Sequence, residues 1–308
     1  MGRRPLYFSR INEDGTPFQF SFLVGTHRPT LQFLSEAGIP GSSNLDRIML
    51  SRKRIHTLAC LLNSEKILSE VNDLLDKVAP ASDPDLLAEN AGAYWIGVSY
   101  SPEVKPRMKI YINCKWGSEK KMWERLDLFV SHFNGLAQWQ EAKKALNSGM
   151  MPLGMALTIS EHKQPSGRVY VSAYGNKIDY YERFVRSITN DREYNLFKQF
   201  TEIILGDDRQ YPTKSVVCSF SFDSQDRLDF KFEMCGHCIF SSDTDASERC
   251  LNWLKTMDVD PTAYLYTIQV LSDDHLSKTN VDLHSFVGFG LKHHEIYSSL
   301  YFKPNIIR

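Results

Sequence analysis

The sequence predicts an α+β protein: a ten-stranded antiparallel β-barrel of five hairpin repeats with an outer ring of α-helices, forming a single domain over 1–308. Three observations predict it. Paired strand-like runs followed by helix-like runs recur along the chain, the connections inside each pair are short and polar, and the strands alternate between an apolar face and a face of cations, tyrosines and small residues.

The first pair is FQFSFLVGT with TLQFLSEA, and the helical stretches LDRIMLSRKRIHTLACLLN and EKILSEVNDLLDKVA follow it with apolar residues at three- and four-residue spacing. The second pair, YWIGVSYS and RMKIYINCKW, precedes EKKMWERLDLFVSHFNG and AQWQEAKKALNSG. The third, PLGMALTIS and GRVYVSAYG, precedes helices over 180–189 and 194–205. The fourth, SVVCSFSFD and RLDFKFEMC, precedes helices over 246–257 and 262–271. HSFVGFGLK and EIYSSLYFKP form the fifth pair. Connections such as SPEVKP, EHKQPSG and DSQD make each pair an antiparallel hairpin, which excludes a parallel barrel with a helix between successive strands. With helices covering one face, closure of the ten strands removes the sheet edges and leaves a lumen wider than side chains readily fill.

Composition sets the outer bounds. Hydrophobic residues are 42% and charged residues 24%, ordinary for a globular chain, and the net charge of -1 gives no global attraction to nucleic acid or anionic lipid. No run of about 18 apolar residues occurs, and the N-terminus lacks the apolar stretch of a secretory signal. The expectation is a cytoplasmic protein with neither a nucleic-acid nor a membrane partner. Six cysteines over this length read as free thiols.

Alternation separates the two faces. In RMKIYIN, Met108, Ile110 and Ile112 face the helices, and Arg107, Lys109, Tyr111 and Asn113 face inward. In GRVYVSA the inward set is Arg168, Tyr170 and Ser172. The fourth repeat directs Arg227, Asp229, Lys231 and Glu233 inward and Phe230, Phe232 and Met234 outward; the fifth directs Tyr297, Ser299 and Tyr301 inward. Small residues at Gly154, Ala156 and Thr158, and at Gly288 and Gly290, are expected to keep the lumen open. Buried cations are costly unless paired. Asp229 and Glu233 can pair with some, and a bound polyanion with the rest; Lys, Arg and tyrosine hydroxyls suit a diphosphate. Tyrosine faces stabilise a carbocation and exclude the water that would quench it, so the set fits ionisation of an allylic diphosphate. A barrel carrying a hydrophobic passenger is the other reading, and it leaves the cations unexplained.

These motifs resemble the aromatic prenyltransferases with the ABBA barrel, of the dimethylallyltryptophan-synthase type, over nearly the whole chain. DGTPFQFSF with LQFLSEA is similar to the family's opening hairpin, RMKIYIN and GRVYVS to its cation-x-tyrosine strands, and YSSLYFKP to its closing strand. The resemblance implies a transferase that moves a dimethylallyl or geranyl group from the diphosphate to an electron-rich aromatic, commonly an indole, with no required cofactor; magnesium is compatible but not essential. It further implies that Lys109, Tyr111, Arg168, Tyr170, Lys231, Tyr297 and Tyr301 hold or shield the diphosphate and the allyl group. The short stretch before the first strand is closer to bacterial members, some of which act on indole alkaloid intermediates or cyclic peptides.

Two positions depart from the family pattern. Gln19 stands where a glutamate is usual and Gln32 where an arginine is usual. A glutamine cannot take a proton, so Gln19 is expected to orient the acceptor by a neutral hydrogen bond. Arg28, in the intervening turn, is the candidate to replace the lost cation.

Three other motifs carry blander readings. CGHC at 235–238 lies between strand-like stretches, without the helix N-terminus that lowers a redox thiol's pKa or a second ligand pair for zinc. NDLLD at 72–76 reads as an amphipathic helix with Asp73 and Asp76 solvated, and His293 and His294 as an exposed turn.

Overall fold

The computed structural model describes residues 9, 11–12, 16–25, 29–38, 41–88, 94–146, 150–161, 163–173, 178–206, 216–222, 229–272, 276–292 and 294–303. Five hairpins follow one another: β1 (Phe18–Val24) with β2 (Thr30–Glu36), β3 (Tyr94–Ser101) with β4 (Val104–Asn113), β5 (Met150–Ser160) with β6 (Lys163–Ala173), β7 (Val216–Phe222) with β8 (Asp229–Cys235), and β9 (His284–Lys292) with β10 (Glu295–Phe302). Each strand pairs antiparallel with its neighbour. The ring closes where β1 meets β10, with Phe20 opposite Phe302 and Phe22 opposite Leu300. Closure leaves no edge strand among the described residues, as the sequence leads one to expect.

Helices fill the intervals: α1 (Asn44–Leu61), α2 (Leu68–Val78), α3 (Pro84–Ala88), α4 (Glu119–Ser131), α5 (Leu136–Leu146), α6 (Ile178–Ile188), α7 (Asp191–Leu205), α8 (Gly236–Ile239), α9 (Asp243–Thr256) and α10 (Thr262–Ser272). Their starts are set locally. Ser43 and Asp46 form a capping box on α1, and Asn190 and Glu193 form another on α7. The buried stripe of α2, Val71, Leu74, Leu75 and Val78, turns Asp73 outward, and Asp76 pairs with Arg52 at 2.7 Å. No helix among the described residues is long and apolar enough to cross a membrane.

The core lies between the outer face of the barrel and the helices. Phe220, Phe230, Phe232 and Phe289 project outward from β7, β8 and β9, where Phe184, Phe197, Phe200 and Trp253 meet them in mostly edge-on pairs 5.2–6.3 Å apart. One buried polar chain fastens this layer. Asp243, at the start of α9, accepts the backbone N–H groups of Asp282, Leu283 and His284 and bonds the His284 ring at 2.9 Å, and the other ring nitrogen meets the Tyr264 hydroxyl. Burial opposes the Asp243 charge, but these bonds hold its carboxyl below the usual range.

The hairpin tips are tighter than composition suggests. EHKQPSG reads as a loop, yet β5 runs to Ser160 and β6 restarts at Lys163, with Ser160 opposite Lys163. The ladder therefore extends into the polar stretch that composition marks as a loop.

Candidate active site

The even-numbered strands all run the same way around the barrel, so their inward side chains fall into tiers. The lowest tier carries Arg107 and Lys109 from β4, Arg168 from β6, Asp229 and Lys231 from β8, and Tyr297 from β10. Above it come Tyr111, Tyr170, Glu233 and Tyr301, and above those Asn113, Ser172 and Cys235. The upper two tiers line a cavity of about 580 Å³, together with Asn12, Gln19, Leu34, Trp95 and Phe286; Lys109, Arg168, Lys231 and Tyr297 do not reach it. A second, far smaller cavity of about 10 Å³ lies against Gln32, Lys109, Tyr111 and Tyr301.

Lys109, Arg168 and Lys231 each have a side-chain partner. Lys109 donates to Gln32 Oε1 at 2.9 Å, Arg168 to Ser219 Oγ at 2.9 Å, and Lys231 pairs with Glu233 at 2.7 Å while also meeting the Tyr301 hydroxyl. Gln32, which stands where a cation was expected, thus anchors one. Desolvation pushes the Lys109 ammonium well below its ordinary pKa, and the charges of Arg168, Lys231 and Arg107 push it further. Lys231 is lowered too, by desolvation against the pull of Glu233. Desolvation works against Arg168 as well, but Tyr297, Tyr170, Asp229 and Glu233 outweigh it and raise its pKa. The tier is a crowded, poorly solvated set of positive charges, and an anion there relieves both costs.

The tyrosines form the layer between. Tyr111 and Tyr170 stack obliquely with ring centroids 5.9 Å apart, and Lys231 Nζ lies 4.7 Å from the centre of the Tyr301 ring. Burial raises the Tyr111 phenol to about 12 and lifts Tyr170 and Tyr301 well above the usual value, so all three are neutral donors at any working pH.

Gln19 sits at the cavity wall. Asn12 spends its amide hydrogens on the carbonyls of Thr16 and Phe18, which turns its oxygen toward Gln19. Gln19 Nε2 therefore donates to Asn12 Oδ1 at 3.2 Å and to Ser285 Oγ at 3.0 Å. With both amide hydrogens used, Gln19 meets a ligand as an acceptor, the sense that an indole N–H requires.

Two expectations are corrected. The β9 glycines do not leave empty lumen: a Cβ at Gly290 would strike the Tyr297 ring, and one at Gly288 would strike Ser299 Oγ and come within 2.9 Å of Glu233 Cγ. They make room for the site's own side chains. CGHC is also not flanked by strand on both sides, since Cys235 ends β8 and α8 begins at the next residue. Gly236 permits this, because a Cβ there would lie 2.6 Å from the His284 carbonyl oxygen. The ligand atoms of Cys235, His237 and Cys238 gather within 4.8 Å of one another. Cys235 Sγ lies 2.9 Å from His237 Nδ1 and Cys238 Sγ lies 3.4 Å from Nε2, so the imidazole meets the two sulfurs with different nitrogens. Arg28 and His293 lie outside the described residues, as does Arg227; His294 bonds Glu193 at 2.9 Å.

Arg107, Trp95, Asn12 and Ser219 were not singled out as site residues. Trp95 was readable, because it lies opposite Tyr111 in the β3–β4 register and shares its face. Asn12 precedes the first strand, and no periodicity marks it.

Glu36 continues the inward column of β2 above Leu34, against Trp95 and 3.3 Å from Arg47. Desolvation raises its carboxyl from 4.5 to about 7, against the lowering effect of Ser9, Arg47 and Trp95. The folded state therefore binds more protons than the unfolded state between those limits, and stability falls as pH rises through them, by up to roughly 3 kcal/mol. Glu36→Gln should flatten this slope: between pH 5 and 7.5 the Tm of the variant should fall less than that of the parent. Parallel Tm profiles would place the titration elsewhere.

No protein-family model and no curated protein sequence matches the chain. Solved structures do. A 6-dimethylallyl tryptophan synthase superposes with a TM-score of 0.85 at 17% identity, over 99% of this chain and 86% of its own. The 6-dimethylallyltryptophan synthase from Micromonospora olivasterospora, in complex with DMASPP and Trp, gives 0.82 at 18% identity over 98% and 86%. The 5-dimethylallyltryptophan synthase from Streptomyces coelicolor gives 0.83 at 16% identity over 99% and 87%. The chain thus shares the barrel fold of these prenyltransferases, the ABBA fold that the sequence motifs resemble.

Proposed function

We propose that the protein is an aromatic prenyltransferase that moves a dimethylallyl or geranyl group from its diphosphate to an indole-containing acceptor. The tiered lumen carries this reading: a desolvated cation tier lies under a tyrosine layer, which opens into a cavity of about 580 Å³, within the range of small-molecule sites. Solved relatives of the same fold in complex with DMASPP and Trp support the choice of donor and acceptor class.

In this reading Lys109, Arg168 and Lys231 hold the diphosphate and stabilise it as it departs. Tyr111, Tyr170, Tyr297 and Tyr301 shield the allyl cation, and Gln19 accepts a hydrogen bond from the acceptor. The cation tier supplies the charge neutralisation that diphosphate departure needs, so the reaction requires no metal, and the whole chain acts as one cytoplasmic domain. A hydrophobic carrier would have no use for the buried cations.

The test is incubation of the purified protein with dimethylallyl and geranyl diphosphate and a panel of tryptophan, indole alkaloid intermediates and indole-bearing cyclic peptides. The expected result is a product heavier by one prenyl group, with diphosphate released and activity retained in EDTA. An absence of both prenylated product and diphosphate release across the panel overturns the reading; loss in EDTA restored by magnesium overturns its metal-free form.

A further inference from the structure

The transfer proposed above leaves a proton to be removed. When the aromatic carbon attacks the allyl cation, that carbon becomes tetrahedral and keeps its hydrogen, and aromaticity returns only when the proton leaves. An amide cannot take it, so Gln19 is not the base. Among the described residues lining the cavity, Glu233 is the one acidic side chain.

Its position suits the task. Glu233 belongs to the tyrosine tier, between the cations below and the cavity above, the level at which donor carbon and acceptor ring would meet. It is 6% exposed, and Lys231 Nζ holds one of its oxygens at 2.7 Å. Tyr301 hydrogen-bonds it as well. Across the sheet, Gly288 stands opposite, and a side chain there would press on Glu233 Cγ at 2.9 Å. The glycine, the ammonium and the phenol together hold one carboxylate at the cavity floor.

We infer that Glu233 is the catalytic base that takes the proton from the prenylated ring carbon, in place of a carboxylate at position 19; the inference rests on the transferase reading. The donor C–O bond breaks and its electron pair leaves with the diphosphate. A π pair of the acceptor ring forms the new C–C bond, and the C–H pair then returns to the ring as the proton passes to a Glu233 carboxylate oxygen. Lys231 and Tyr301 orient that oxygen, and the proton later leaves to water.

The test compares the parent with Glu233→Gln, using an acceptor deuterated at the attacked carbon, in single turnover. Donor affinity is read separately with a thiolodiphosphate analogue, and donor cleavage by diphosphate release. The expected result is unchanged or tighter analogue binding, continued donor cleavage to the prenyl alcohol, and prenylated product formed roughly 10²-fold more slowly or worse. A primary deuterium isotope effect should appear in the variant where the parent shows little or none, which a merely structural role would not produce. A variant that forms product within a few-fold of the parent, with the same isotope effect, overturns the inference while leaving the transferase reading intact. A parent that neither cleaves donor nor forms product overturns both. If Glu233→Gln does not fold, Glu233→Asp, which withdraws the carboxylate by one methylene, is read by the same rate and isotope criteria.

Discussion

Lys109→Met should weaken binding of a dimethylallyl thiolodiphosphate by about 10- to 100-fold, cut prenyl transfer at least as far, and leave the Tm unchanged or higher. The affinity loss follows from one charge-assisted contact to diphosphate, worth about 1.5–3 kcal/mol. The stability gain follows from the electrostatics of the free protein. Desolvation and the neighbouring charges of Arg168, Lys231 and Arg107 all disfavour the Lys109 ammonium, and the oxygen it donates to belongs to a neutral amide, Gln32. Methionine keeps most of the stem and removes the charge. Binding residues that cost stability are common where function needs a strained site. Calorimetric titration with the analogue and a thermal melt decide the matter together: a lowered Tm with unchanged analogue affinity would make Lys109 a structural residue and dissolve the cation tier's role.

The architecture was legible because a closed barrel imposes a period of two on every strand, and each hairpin repeats it. Lys109 and Tyr111, or Arg168 and Tyr170, could be assigned to one face without knowing anything beyond their spacing. What they touch could not. Gln32 and Lys109 meet from strands 77 residues apart, and Arg168 reaches Ser219 across 51 residues, contacts fixed by the register between hairpins and not by any local pattern. Tiering was hidden for the same reason, since it depends on how the strands stagger. The glycines misled because a small residue on an inward face can make space for a ligand or for a neighbour, and only the position of the Tyr297 ring distinguishes them. The single turn at 236–239 is too short to show a helical period, and the apolar residues on both sides of it suggested strand.

Adjacent residues on β8 should give opposite phenotypes, and this tests the register of the strand most directly. Phe232 is fully buried and points away from the lumen, edge-on to Tyr181 of α6 and Phe197 of α7 at 5.2 Å each. Phe232→Ala removes that aromatic contact and leaves a cavity, at a cost of about 3–5 kcal/mol. In a chain of this length that corresponds to a fall in Tm on the order of 10 °C. Phe232→Leu, which fills most of the volume, should cost less than Ala. Neither variant changes which side chains face the lumen, so well below its Tm each should bind the donor analogue as the parent does and give the same product pattern. Lys231 and Glu233, one residue to either side, point inward and should alter donor binding or proton transfer instead. A slip of one residue would exchange these roles, because side chains alternate strictly along a strand. If Phe232→Ala melts within a degree or two of the parent, or changes donor affinity while still folded, Phe232 faces the lumen and the tiers built on β8 are wrong.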